Sequence, residues 1–334
     1  MKYLILITFI FFNAGLSGQI KRPEDYGFRH LQTIYQSDTI DVLIKSKKGE
    51  ETKRKPLFLF CQGSLPIPLI IKYNDKGKQG IYNVFVFNTD SLSENYHLAI
   101  ISKPWIPLIA DQRSLNNNLT YSDSTGKFPI KYIERNLLDY YVDRDIAVIK
   151  FLQNQSWISK SKLVVAGHSE GSTIAAKLAL RFPQVTQLIY SGGNPLGRIM
   201  SVIEQQRADE NDTTKYAENT IMTWQKIVAD PTNMDASNGD AYKCTYEFSI
   251  PPIQYLQKLT IPVLVCYGTK DVSSPFNDYL RVEMIRWKKK NFTFKAYIGA
   301  EHNYFPLKVN REINYDIFNW DKVAEDWRNW LMHH

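Results

Sequence analysis

The sequence predicts an α/β fold: a mostly parallel sheet with helices on both faces. Three observations lead there. Short, continuous apolar runs recur at 57–60, 98–101, 163–166, 188–190 and 263–266. Their unbroken rather than alternating apolar character marks strands buried on both faces, as in parallel sheets. Helical patterns lie between them: Leu138, Val142, Ile146, Ile149 and Leu152 recur at helical spacing, and a second helix runs from about Ser172 to Phe182 before Pro183 stops it. Strands alternating with helices imply a sheet covered on both sides. The composition agrees, because 334 residues with 44% apolar and 22% charged can bury a large core, which excludes disorder as the dominant state.

The chain opens with Lys2, an apolar run from Tyr3 to Phe12, and then the small residues Ala14, Gly15, Ser17 and Gly18. That order reads as an export signal over 1–18, with the mature chain starting near Gln19. The run stops at Asn13, short of the ~20 apolar residues a membrane span needs, so no permanent span is expected. A periplasmic or extracellular protein follows. Its three cysteines, Cys61, Cys244 and Cys266, match neither a disulfide framework nor a metal site, so the core must supply the stability. Cys61 and Cys266 end apolar runs, where a thiol serves as a small buried hydrophobe.

An antiparallel hairpin is expected from 28–35 and 39–45, joined at Ser37-Asp38, with Ile40, Val42 and Ile44 on one face of its second strand. The basic stretch 45–55 reads as a solvated hairpin loop, and Lys288-Lys289-Lys290 as cations at a helix C-terminus. The net charge of +7 is therefore spread over surface features, and no nucleic-acid stripe is formed. Two stretches break the rhythm of strand and helix. Residues 104–135 are rich in Asn, Ser and Asp, and 195–258 separate two strands by far more than the 2 to 6 residues usual for such a loop. The second stretch reads as a cap on a single domain, 19–334, whose core comprises 26–194 and 259–332. Its aromatics Trp224, Tyr242, Tyr246 and Phe248 either glue the cap to the sheet or line a pocket.

The most specific signal is Gly167-His168-Ser169-Glu170-Gly171, placed between a buried strand and an alanine-rich helix. A G-x-S-x-G on so tight a turn forces the serine into a strained backbone that pushes its oxygen out of the sheet. Gly167 and Gly171 are expected because a β-carbon at either would collide across the turn. A serine hydroxyl needs a base oriented by a carboxylate. Of the six histidines, His302 alone sits in a loop directly after a strand-like run, 292–298, where a parallel sheet presents its site. Asp271 follows the run 263–266 and completes the chain order Ser, Asp, His. Two N–H donors are needed for the oxyanion. The backbone of Glu170 is one and that of Ser64 the other, with Gly63 allowing close approach of substrate.

These residues resemble the α/β-hydrolase superfamily: G-H-S-E-G for the elbow, Y-G-T-K-D for the acid, A-E-H-N for the base and Q-G-S for the oxyanion loop. The resemblance spans about residues 26–332. It implies a mostly parallel eight-stranded sheet, a cap after the sixth strand, and hydrolysis through an acyl-enzyme, with no cofactor and no metal. Gln62 departs from the pattern, since many members carry His before the glycine. The elbow is also similar to the prolyl-oligopeptidase-like and acyl-thioesterase-like branches. The expected function is a secreted serine hydrolase of small carboxylic esters. A peptidase or amidase with the same residues, and a noncatalytic binding protein on the same fold, are the alternatives.

Overall fold

The structure, a computed structural model, describes residues 22–75, 78–83, 85–211, 213–236 and 239–334. The export signal expected at 1–18 lies outside them. The strands are β1 Arg29–Tyr35, β2 Asp38–Lys45, β3 Lys55–Cys61, β4 Ile70–Asp75, β5 Lys78–Asn83, β6 His97–Ile101, β7 Ile109–Asp111, β8 Ile158–His168, β9 Gln187–Ser191, β10 Val263–Gly268 and β11 Phe292–Tyr297. The helices are α1 Asp90–Ser93, α2 Ile130–Arg135, α3 Leu138–Gln153, α4 Glu170–Arg181, α5 Arg198–Asp209, α6 Tyr216–Ala229, α7 Tyr242–Ser249, α8 Ile253–Leu256, α9 Ser274–Arg286 and α10 Trp320–His333.

Eight strands form one sheet in the order β1-β2-β6-β3-β8-β9-β10-β11. Every pairing from β6 to β11 is parallel, and β2 alone runs against the rest. The continuous apolar runs are explained by the two cores that sandwich this sheet. In β3, Leu57, Leu59 and Cys61 join the layer beneath α3 and α4, while Phe58 and Phe60 face the layer beneath α10. In β10, Val263, Val265 and Tyr267 take the first side, and Leu264 and Cys266 the second. Both cysteines are free and buried, as is Cys244.

The N-terminal hairpin pairs Arg29 to Tyr35 against Asp38 to Ile44. Its turn falls on Gln36 and Ser37, both at positive φ (47° and 69°), one residue earlier than expected. The expectation of a hairpin loop at 45–55 is corrected. β2 and β3 are not neighbours, because β6 lies between them, so this segment crosses the end of β6. Lys55 is accordingly buried, donating to the Ser93 carbonyl at 2.8 Å and pairing with Glu50.

A second, three-stranded sheet, β5-β4-β7, was not foreseen. It draws on both the connection from β3 to β6 and the polar stretch 104–135. The long connection between β9, the sixth strand of the main sheet, and β10 folds into α5 to α8. Among the described residues no helix is long and apolar enough to cross a membrane.

Candidate active site

The expected catalytic and oxyanion residues follow the C-terminal ends of parallel strands: Gly63 and Ser64 after β3, Ser169 and Glu170 after β8, Asp271 after β10 and His302 after β11. Ser169 takes φ 58° and ψ −128°, outside the ordinary regions for a residue with a side chain. The strain is held by the packing on either side. A β-carbon on Gly167 would collide with the Gly171 carbonyl, and one on Gly171 with the Cys61 carbonyl, so strand, turn and helix can close only with glycine at both positions. The requirement differs at Gly63. A β-carbon there would lie 3.8 Å from the Ser169 Cβ, an ordinary contact.

Asp271 and His302 are joined directly, Nδ1 of the ring lying 2.8 Å from Oδ2 of the carboxylate. The other carboxylate oxygen accepts from the Ser273 N–H at 3.0 Å. Burial pushes the Asp271 pKa upward, but the His302 bond and charge and the Ser273 N–H outweigh it, and the net shift is downward. Burial likewise acts to lower the His302 pKa. The bond to Asp271, its charge and that of Glu301 reverse this and raise it above 6.5.

Ser169 and His302 line the same two cavities. The Ser169 hydroxyl has no hydrogen-bond partner among the described residues. The N–H groups of Ser64 and Glu170 are also without backbone partners among the described residues, Glu170 because it opens α4. Tyr132 anchors the loop that carries Ser64, its hydroxyl lying 3.2 Å from the Ser64 carbonyl, and the Gln62 amide donates to the Ile101 carbonyl. Gln62 thus braces the loop in the place where a histidine often stands.

Three features escaped the sequence reading. His168 is buried under His302, with ring centroids 4.9 Å apart, and its Nδ1 lies 3.1 Å from Ser191 Oγ, which meets the Tyr304 hydroxyl at 2.6 Å. Burial, with the neighbouring His302 charge, lowers its pKa to about 3, so this ring stays neutral. The second is an ion-pair chain behind the elbow. The Glu170 carboxylate sits between Lys103, at 3.4 Å, and Arg198 of α5, which also holds Asp240 at 2.6 Å. Lys103 is almost wholly buried, and that burial, with the nearby Arg144 and Arg198, lowers its pKa to about 7. Nothing in the local sequence marks a lysine beside Pro104 as buried. The third is the β4–β5 hairpin, whose Ile71 and Tyr82 form a wall of one cavity.

Of the aromatics of 195–258, one lines the pocket at Ser169 and two pack α6 on α7. Phe248 is buried, lies under Arg198 and lines the cavity at Ser169, whereas Trp224 and Tyr246 stack on each other with centroids 6.0 Å apart. Among the described residues no cluster of three or more His, Cys, Asp or Glu is arranged to hold a metal ion.

No protein-family model matches the chain, and no curated protein matches its sequence. Solved structures do. Est1E from Butyrivibrio proteoclasticus, with ferulic acid bound, aligns over 91% of this chain and 98% of its own at a TM-score of 0.55 and 16% identity. A putative dipeptidyl aminopeptidase IV from Bacteroides ovatus aligns over 93% of this chain, TM-score 0.54 and 12% identity, and this chain spans 37% of it. The acylaminoacyl peptidase of Pyrococcus horikoshii aligns over 82%, TM-score 0.51 and 13% identity, again with 37% of that chain covered. At such identities the likeness is one of fold.

Proposed function

We propose that this chain, which has the α/β-hydrolase fold, is an exported serine hydrolase that cleaves carboxylic esters through an acyl-enzyme. The observation that carries the proposal is a strained serine on a cavity wall shared with a histidine already bonded to a buried aspartate. Ser169 Oγ attacks the ester carbonyl carbon while Nε2 of His302 takes its proton. Asp271 holds the Nδ1–H and balances the imidazolium that forms. The Glu170 and Ser64 N–H groups receive the oxyanion, each donor being worth ~3 kcal/mol of barrier in comparable sites. When the tetrahedral adduct collapses, the alcohol leaves with the proton returned by His302. Water then repeats the sequence on the acyl-enzyme and releases the acid.

Labelling by a fluorophosphonate probe tests the nucleophile. The expected result is one equivalent bound to wild type and none to Ser169→Ala; equal labelling of both would end the proposal. Failure of the folded wild type to label or to hydrolyse p-nitrophenyl acetate would favour a noncatalytic binding role. The extended alignment with two peptidases supports a second reading, hydrolysis of peptide or amide bonds. Comparing kcat/KM on p-nitrophenyl esters with that on aminoacyl and dipeptidyl anilides separates the two. Export rests on the 1–18 segment, and N-terminal sequencing of protein recovered outside the cytoplasm should begin near Gln19.

A further inference from the structure

Two cavities of about 520 Å³ each share Ser64, Ser169 and His302, and their walls differ, one mostly apolar and the other mixed. One is apolar, built from Leu65, Ile67, Pro68, Ile71, Tyr82 and Val86. Leu65, Tyr82 and Val86 remain 44%, 49% and 38% exposed, so the described chain leaves a sizeable apolar surface uncovered within reach of the serine. The other is mixed, with Thr173, Asn194, Ser201 and Gln205 beside Arg198 and Asp240, and with Val202, Phe248 and Val272 among them. Both volumes fall within the range of small-molecule sites, ~300 to 1,000 Å³.

Most charges on the mixed wall are paired. Arg198 engages Glu170 and Asp240, Glu170 also engages Lys103, and Asp271 holds His302, while the exposed Lys270 and the half-buried Glu301 line the cavity with no ion pair between them among the described residues. A carboxylate or ammonium reaching Arg198, Glu170 or Asp240 would have to break an existing, partly buried pair, which is costly. Neutral hydroxyl groups can instead use the hydrogen-bonding capacity of Thr173, Ser201 and Gln205, of which Ser201 alone is engaged by a side chain among the described residues, accepting from the Asn194 amide at 3.0 Å.

We infer that the substrate is a two-faced ester, joining an apolar group to a neutral, hydroxyl-rich one such as a sugar or glycerol, with its carbonyl at Ser169 and one half in each cavity. This rests on the reading of Ser169 as nucleophile. Four esters test it: methyl 3-phenylpropanoate, 6-O-acetylglucose, the 3-phenylpropanoyl 6-ester of glucose, and 3-phenylpropanoylcholine. The glucose phenylpropanoate is expected to exceed each of the others at least tenfold in kcat/KM. Tyr82→Asp, on the exposed side of the hairpin, should cost that substrate tenfold or more relative to 6-O-acetylglucose. Gln205→Leu, on exposed α5 surface, should cost it several-fold relative to methyl 3-phenylpropanoate. Comparable kcat/KM on all four esters, or neither variant moving its ratio, overturns the inference. In that case loss of p-nitrophenyl acetate hydrolysis in Ser169→Ala would still uphold the nucleophile. Retention of that activity by Ser169→Ala would overturn the nucleophile and the inference with it.

Discussion

Two imidazoles, His168 and His302, lie next to Ser169 with their rings tilted at 43°, and their surroundings drive them in opposite directions. His302 is raised above 6.5 against the effect of burial by Asp271 and Glu301, while His168 is lowered to about 3 by burial beside that same ring. Under the proposed mechanism the sign for activity is simple, because only neutral His302 can take the proton. The acid limb of kcat/KM should therefore have its midpoint above pH 6.5, with activity falling about tenfold per pH unit below it. Asp271→Asn should move that midpoint down by removing the charge, and should lower kcat by ~10⁴-fold, the cost of a misoriented ring in comparable triads. Stability follows the other partner. A base with a depressed folded pKa contributes stability above its unfolded value that is lost as pH falls. His168 thus penalises the folded state from pH 6.5 down toward 3, by ~1.4 kcal/mol per pH unit. His302 works on the other side: its contribution is complete below 6.5 and fades as pH rises through its folded value. Asp271, lowered from 3.8, matters only at the acid extreme. Thermal melts from pH 7 to 4 should show a shallower decline in His168→Gln than in wild type.

At the scale of the element, the turn from β8 into α4 and the loop after β3 ask different things of their glycines. Gly171 faces the Cys61 carbonyl across a gap that no methyl can enter. Gly171→Ala should therefore lower the urea midpoint by the equivalent of ~3 kcal/mol or prevent folding. Gly63→Ala has room, and should keep its urea midpoint within ~1 kcal/mol of wild type while losing turnover, since its methyl would sit beside Ser169 on the cavity wall. The first residue of α5 links the elbow to the helices between β9 and β10. Arg198→Ala leaves Glu170 with Lys103 alone and Asp240 without its guanidinium, so circular dichroism melts should show a lower Tm. The elements most legible in the sequence were those with a local period: α3 and α4, the unbroken strands, and the strand–turn–helix around Ser169. The hairpin of β4 and β5 was missed although Asn74 to Gly77 is a turn-like stretch. Its strands are short, and β4 gains its further partner from β7, more than thirty residues on. Helix α10 was likewise unmarked, although Trp320, Val323, Ala324, Trp327, Trp330 and Leu331 share one face and are all buried.

At the scale of the whole molecule, the sheet has two apolar sides, and each is sealed by a different part of the chain. The tryptophans of α10 close one side, where Trp327 is fully buried against Phe60 and Phe87 with centroids 6.4 and 5.4 Å away. Trp327→Ala should cost ~3 to 5 kcal/mol by equilibrium unfolding, the usual range for an emptied aromatic site. Because the rings it touches come from β3 and the segment before α1, the loss should also loosen the strand that leads to Ser64. Activity should then fall before global unfolding, as measured by turnover and near-UV circular dichroism across a urea series.

The amino-acid order by itself determined whatever depends on neighbours along the chain: strands whose two faces are both apolar, helices with an apolar stripe, and a serine between two glycines on a forced turn. It also determined which histidine and carboxylate come after strand ends. Only the tertiary structure decided that Lys103 is sunk beneath the elbow, that the 45–55 segment crosses β6, and that a mostly apolar and a mixed cavity share one serine. Those outcomes depend on contacts between residues tens of positions apart, and burial, charge pairing and cavity shape come into being only when the sheet has closed.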